Sequence, residues 1–251
     1  MTLYFIGLGL NNENDISVKG LELVKKADFV YLENYTSILS CTKEQLELFY
    51  GKKIILANRV LVEQNAEQTI LKQAKTNNVA LLIIGDPLCA TTHVDLWQRA
   101  KKLGIKTEIV HNASIVSAIG VTGLQVYKFG RITSVPFAQE DYMPETPYDV
   151  IKDNQKIGLH TLLLLDLDPE KNRFLTINDA INILLKIELK RNEKVFTPAS
   201  LCIGCARISS KDQKIVKGKA KDLLKEDFGK PPYCLIIPGK MHFVEEELFN
   251  E

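Results

Sequence analysis

The sequence lacks most of the features that announce the common functional classes. Its 32 basic and 31 acidic residues nearly cancel, leaving a formal net charge of +1. There is thus no global basic field for nucleic acid and no acidic tail. No apolar run approaches the roughly 20 residues of a membrane span, and even 162–165 is cut short by Asp166 and Asp168. The N-terminal stretch MTLYFIGLGLNN has no basic segment and an apolar run of strand length, so it reads as part of the fold rather than a signal peptide. Cysteines number five, an odd count, at Cys41, Cys89, Cys202, Cys205 and Cys234, all in apolar surroundings. That usage excludes a disulfide framework and points to reduced thiols in a cytoplasmic compartment.

Recognisable catalytic and cofactor motifs are equally scarce. Cys202-Ile203-Gly204-Cys205 has metal-like spacing but no second pair, and on a strand two positions three apart point to opposite faces. The four histidines, His93, His111, His160 and His242, show no ligand spacing such as HExxH, so no metal site is expected. No GxSxG elbow and no GxxxxGK[ST] loop occur. Gly7-Leu8-Gly9 follows a first strand, but Asn12 stands where a dinucleotide fingerprint needs its third glycine. A glycine-permitted tight turn is the better local account.

What the chain does have is organised around 81–97, LLIIGDPLCATTHVDLW. The run 81–84 reads as a buried strand, broken at Gly85-Asp86-Pro87, and an amphipathic helix begins near Val94. This places Asp86 at the carboxyl end of a strand, where open α/β sheets bind ligands. Gly85 lets the backbone approach a ligand, and Thr91 and Thr92 offer hydroxyls near a helix start. The plainer reading makes Asp86 the local cap of an ordinary turn.

Strand and helix alternate at short spacing on either side. Strands are predicted at 3–8, 28–33, 53–57, 79–84 and 106–110. Helices follow the Ser17 cap and the Thr42-Lys43-Glu44-Gln45 capping box, and span 65–76 and 93–103. The rhythm changes near 111–113. Beyond it come an irregular loop at 137–149, helices at 148–157 and 176–190, and strands at 160–166, 200–208 and 233–238. Between the last two strands lies a charged segment, 211–230, with a short helix at 219–226. Asp166 and Asp168 share one face of a strand end, as paired carboxylates or as caps of the turn at Pro169. The fold expected is α/β, as two α/β lobes over 1–112 and 113–251.

Seven segments, taken in order, add a resemblance to these local readings: FIGLGLNNENDISVKGLE, LENYTS, GDPLCATTHVDL, HNASIVSAIGVTGLQVYKFG, GLHTLLLLD, CARISS and PPYCLIIPGKMHFVE. Together the chain resembles the diphthine synthases, a family within the tetrapyrrole-methylase-like class of S-adenosylmethionine-dependent methyltransferases. The resemblance covers essentially the whole chain. It implies two α/β lobes with the cofactor in the cleft between them, a cytoplasmic homodimer, and no metal, nucleic acid or membrane. The implied acceptor is a histidine of translation elongation factor 2 that already carries a 3-amino-3-carboxypropyl group. The implied products are diphthine or its methyl ester, and S-adenosylhomocysteine. Carried over motif by motif, the cofactor contacts fall at Leu10, Asp86, Cys89, Ser114, Ile115, Leu165, Ile208 and Tyr233. Tyr233 stands where the family usually has histidine; it keeps a ring and a polar atom but not the charge. Cys89 is also unusual, at a contact expected through the backbone. No catalytic residue is assigned, and the base is left among Asp166, water and the substrate's own carboxylate. The alternatives are a tetrapyrrole C-methyltransferase of the same fold and a cofactor-binding regulatory module without catalysis.

Overall fold

The structure is a computed structural model that describes residues 1–138 and 143–251. The chain divides into two compact units, Met1–Val116 and Ser117–Glu251.

The first unit is built as β1 (Thr2–Gly7), α1 (Val18–Lys26), β2 (Phe29–Glu33), α2 (Lys43–Tyr50), β3 (Ile55–Ala57), α3 (Ile70–Ala74), β4 (Val79–Ile83), α4 (His93–Lys102) and β5 (Lys106–Val110). The five strands pair in the order β3-β2-β4-β1-β5, and every pairing is parallel. A parallel sheet covered on both faces needs apolar residues at every position of its central strands. That explains the unbroken run of β4. Val79, Leu81 and Ile83 join one core with Leu3, Phe5, Ile70, Leu71 and Leu96. Ala80 and Leu82 join the opposite core with Ile6, Val24, Leu46 and Tyr50. Local caps agree with the sequence: Ser17 accepts from the Gly20 amide, and Thr42 and Gln45 form the reciprocal box.

One element of this unit departs from expectation. In place of a helix over 65–76 there is a π-type turn at Val60–Gln64, and α3 begins only at Ile70. The Thr69 hydroxyl donates back to the Asn65 carbonyl, and the Leu71 amide reaches the carbonyl of Ala66, five residues back. Such local bonds displace the regular helical ladder.

The short helix α5 (Ile115–Ala118) leads into the second unit. There follow β6 (Thr133–Val135), α6 (Thr146–Lys156), β7 (Thr161–Leu165), the hairpin β8 (Leu167–Asp168) and β9 (Arg173–Phe174), and α7 (Ile177–Arg191). The chain ends with β10 (Leu201–Ala206), β11 (Lys214–Lys219), α8 (Ala220–Leu223), β12 (Tyr233–Ile237) and α9 (Phe243–Asn250). Its sheet has the order β11-β10-β12-β7-β6, antiparallel except for β6 against β7. Tyr148, Ile151, Leu163, Ile181, Leu184, Phe196 and Leu235 form its core. Strands β6 and β11 were not expected from the sequence, and β11 occupies part of the segment read as charged. Of the expected 137–149 loop, 139–142 lies outside the described residues, while Pro147 sits in the first turn of α6.

Candidate functional site

In the first unit the exits of three adjacent strands, β4, β1 and β5, are stitched together by hydrogen bonds. Gly9 and Gly85 exchange backbone bonds, 3.2 Å and 2.7 Å long, that join the loops after β1 and β4. Gly7 permits this approach, since a Cβ there would meet the Gly85 carbonyl at 2.6 Å and Asn112 Cβ at 2.8 Å. Gly85 lies at φ +81°, and a Cβ on it would meet only the Ala113 carbonyl, at 3.9 Å. Gly85 is buried, and its N–H and C=O are both engaged with Gly9, so the positive φ rather than crowding is what calls for glycine there.

Asp86 is the hub of this edge. It is only 5 % exposed. Its Oδ1 accepts from the Leu88 amide at 2.9 Å, and its Oδ2 accepts from the Asn112 amide at 3.2 Å and from His111 Nδ1 at 2.8 Å. Burial pushes its pKa up, but the Leu88 amide, the His111 ring and the Asn112 amide outweigh burial and leave it below its ordinary value. The carboxylate is therefore an anion that fixes the turn and ties β4's exit to β5's. The plainer reading of Asp86 as a local cap describes its Leu88 bond.

Cys89 and Ser114 meet beside it. Burial and the Asp86 carboxylate raise the Cys89 thiol, while a hydrogen bond with Ser114 pulls it down. Leu10 sits on the neighbouring loop, where Asp15 Oδ2 accepts from the amides of Leu10 and Asn11 at 3.3 Å and 2.8 Å. Ile115 opens α5, one residue beyond buried Ser114. Leu10, Asp86, Cys89, Ser114 and Ile115 thus belong to one edge of one sheet. Sequence reasoning missed Asn112, whose side-chain amide donates to the carbonyls of Gly7 and Asp15, both at 2.9 Å. It holds the β1 and β5 exits in register.

The three remaining positions form a row at one edge of the second unit's sheet. Leu164 pairs with Cys234 and Cys234 with Cys205, so Leu165, Tyr233 and Ala206 follow one step further out. Ile208 comes two residues later, after Arg207 at φ +51°. Arg207 is anchored by the carbonyls of Phe228, Lys230 and Asp212 and by the Asp212 carboxylate at 2.7 Å. The Tyr233 hydroxyl donates to the Gly229 carbonyl, so its polar atom is engaged locally. Asp166 takes the Leu167 amide at 3.0 Å and the Phe137 amide at 3.4 Å. Asp168 caps the turn at Pro169 by accepting from the Lys171 amide.

Elsewhere in the second unit, the motifs around Lys128, His160 and 238–245 converge on one buried carboxylate. Glu245 accepts from the amides of Gln125 and His242, from Lys128 Nζ, and from His160 Nε2 at 3.0 Å. Burial raises its pKa, but the His242 amide, Lys128 and its other donors override this and bring it to about 2. The Gly239 amide donates to His160 Nδ1 at 2.9 Å, which leaves the ring hydrogen on Nε2. These motifs act as a structural lock. All five cysteines are free; Cys202, Cys205 and Cys234 are buried, Cys41 is half-buried and Cys89 is exposed. Among the described residues no cluster of three His, Cys, Asp or Glu is placed to hold a metal, and no helix is long and apolar enough to cross a membrane.

An all-parallel sheet with a glycine-lined carboxyl edge, followed by a mixed sheet, matches a known class. Residues 2–224 fit the family model of tetrapyrrole (corrin/porphyrin) methylases. Within that class, a diphthine synthase of Methanococcus maripaludis is 48 % identical, with 98 % of this chain and 96 % of the relative covered. A probable diphthine methyl ester synthase of Arabidopsis thaliana is 47 % identical over 99 % and 97 % of the two chains. The crystal structure of a diphthine synthase from Entamoeba histolytica superposes with a TM-score of 0.91 at 46 % identity, covering 99 % of this chain and 97 % of that one. The chain belongs to the diphthine synthase family, methyltransferases of diphthamide biosynthesis.

Proposed function

We propose that the chain transfers methyl groups from S-adenosylmethionine to the 3-amino-3-carboxypropyl-histidine of translation elongation factor 2, yielding diphthine or its methyl ester and S-adenosylhomocysteine. The observation that carries this reading is the edge built by Gly7, Gly9, Gly85, Asp86 and Asn112. It combines glycine-built turns at the strand exits with a fixed carboxylate, in a chain whose relatives carry the synthase names over nearly their full length. When bound, the cofactor supplies an electrophilic sulfonium methyl. Residues at this edge suit it: Asp86 is a fixed anion beside a cationic donor, and Ser114 and Cys89 offer small polar groups.

The cofactor contacts proposed on the first unit are Leu10, Asp86, Cys89, Ser114 and Ile115, and on the second Leu165, Ile208 and Tyr233. The acceptor amine must be unprotonated and held in line with the methyl, so orientation and exclusion of water carry most of the rate. Asp166 already accepts two amides, which favours a mechanism with no single indispensable acid or base. The reading also takes the enzyme to be a cytoplasmic homodimer. Incubation with labelled S-adenosylmethionine and elongation factor 2 bearing the aminocarboxypropyl group tests it directly. Label in the factor supports the proposal. Label in a porphyrinogen instead, or in neither, overturns it.

A further inference from the structure

A small cavity with polar walls opens beside the same carboxyl edge, and none of the proposed cofactor contacts lines it. It measures about 230 Å³ and is lined by Glu63, Thr92, His93, Asp95 and Arg99, with Val62 and Leu96 as apolar walls. Its walls come from the segment after β3 and from the start of α4. Since β4 lies between β2 and β1, the loop from Asp86 to Thr92 borders both this cavity and the cofactor edge.

His93 is the unusual member. It is 1 % exposed, and its Nε2 meets no hydrogen-bond partner among the described residues. The Thr91 hydroxyl accepts weakly from the His93 amide at 3.4 Å and contacts Nδ1. With the Thr91 hydroxyl donating to Nδ1 the ring hydrogen lies on Nε2, a buried donor without an acceptor; in the opposite tautomer Nε2 is a buried acceptor without a donor. A group of this kind is a costly feature unless a ligand supplies the missing partner. The same place holds the N-terminus of α4, which has no side-chain cap and so favours a negative ligand group. Opposite charge is present too. Glu63 accepts from the Thr92 hydroxyl at 3.2 Å, and Asp95 pairs with Arg99 Nε at 2.9 Å. The Tyr35 ring lies 6.3 Å from the His93 ring, and the loop that carries it is pinned by fully buried Glu33, which accepts from the amides of Tyr35 and Thr36.

A donor and a helix N-terminus beside the Glu63 carboxylate complement a small amino acid with an amine and a carboxylate on one carbon. The cavity is smaller than the roughly 300–1,000 Å³ of drug-sized ligand sites, which matches an amino-acid headgroup. We infer that this cavity receives the 3-amino-3-carboxypropyl arm of the acceptor histidine. His93 Nε2–H and the α4 N-terminus take the carboxylate, and Glu63 accepts a hydrogen from the neutral amine, whose lone pair stays free for the methyl. The inference rests on the acceptor proposed above. His93 and Glu63 are positioning residues here: they touch the arm and leave the methyl donor to the neighbouring edge.

Two experiments test it. In the first, His93→Ala and Glu63→Gln are assayed for methyl transfer to aminocarboxypropylated elongation factor 2, and for S-adenosylmethionine binding by calorimetry. Each variant is expected to raise the acceptor KM about tenfold or more, the loss of one charge-assisted hydrogen bond. Cofactor Kd should stay within about twofold. Glu63 is exposed and its substitution leaves the core intact, so the test survives if the buried His93 variant misfolds. An acceptor KM unchanged in Glu63→Gln overturns the inference, as does a cofactor Kd that rises in step with KM. In the second, the ¹⁵N-labelled His93 ring is followed by NMR while L-2-aminobutyrate, butyrate or butylamine is added. A saturable shift with the amino acid alone supports the pocket, and no shift overturns it. This titration decides the matter even if the wild-type enzyme fails to methylate the factor, an outcome that would overturn only the proposed function.

Discussion

Replacing Asp86 by alanine removes three hydrogen bonds from the edge that carries the proposed cofactor site. Two of them come from backbone amides, Leu88 at 2.9 Å and Asn112 at 3.2 Å, and the third from His111. The His111 side chain is 69 % exposed, so water replaces its partner at little cost. The two amides have no such recourse beside a residue that is 5 % exposed. With charge-assisted hydrogen bonds worth roughly 1.5–3 kcal/mol each, the first unit should lose about 3–5 kcal/mol. Asp86→Asn keeps one acceptor oxygen and should lose about half as much. Urea titration followed by circular dichroism measures the stability, and calorimetry with S-adenosylmethionine measures the site. Both variants should weaken cofactor binding, because the charge is gone in each. An alanine variant within about 0.5 kcal/mol of wild type would refute the reasoning, since a surface substitution away from any special feature does no more.

Other substitutions follow from the same geometry. Gly7→Ala forces a Cβ against the Gly85 carbonyl and Asn112, and should cost about 1–3 kcal/mol of overpacking in thermal melts together with weaker cofactor binding. Glu245→Ala leaves Lys128, His160 and two amides around an empty place; a loss of about 3–5 kcal/mol is expected, as for breaking a buried ion pair. Because the Glu245 pKa is depressed to about 2, its contribution is complete above pH 4.5 and should fade as pH drops toward 2. His93 behaves in the opposite chemical sense: burial lowers its pKa to about 4. The unfolded chain therefore binds an extra proton between pH 6.5 and 4, and stability should fall by about 3 kcal/mol on acidification through that window. His93→Gln should flatten this slope in pH-dependent urea melts, and an unchanged slope would count against a buried neutral imidazole.

The parallel sheet was legible because its signals are local. A strand buried on both faces must be apolar throughout, as 81–84 is, and Ser17 and Thr42 cap helices with their own neighbours. The edge strands of the second unit, β6 and β11, were harder to read. β11 carries Lys214, Lys217 and Lys219, the charges by which an exposed edge avoids pairing with other chains, and so it looked like a solvated segment. The site was legible in part. Asp86 stood out as an acid at a strand end, whereas Asn112 lay within the segment HNASIVSAIGVTGLQVYKFG with no local sign of its role. Its real partners, Gly7 and Asp15, are 105 and 97 residues away, and no local pattern encodes such a bond. The unpartnered nitrogen of His93 was equally invisible, since a buried histidine at a helix start reads as a structural one.

The most direct measurement is mass spectrometry of the elongation factor 2 peptide that carries the 3-amino-3-carboxypropyl-histidine, taken after incubation with this protein and S-adenosylmethionine. The account predicts a gain of three methyl groups on that residue, or four if the carboxylate is also esterified. A peptide of unchanged mass, from an enzyme that binds the cofactor, would contradict it.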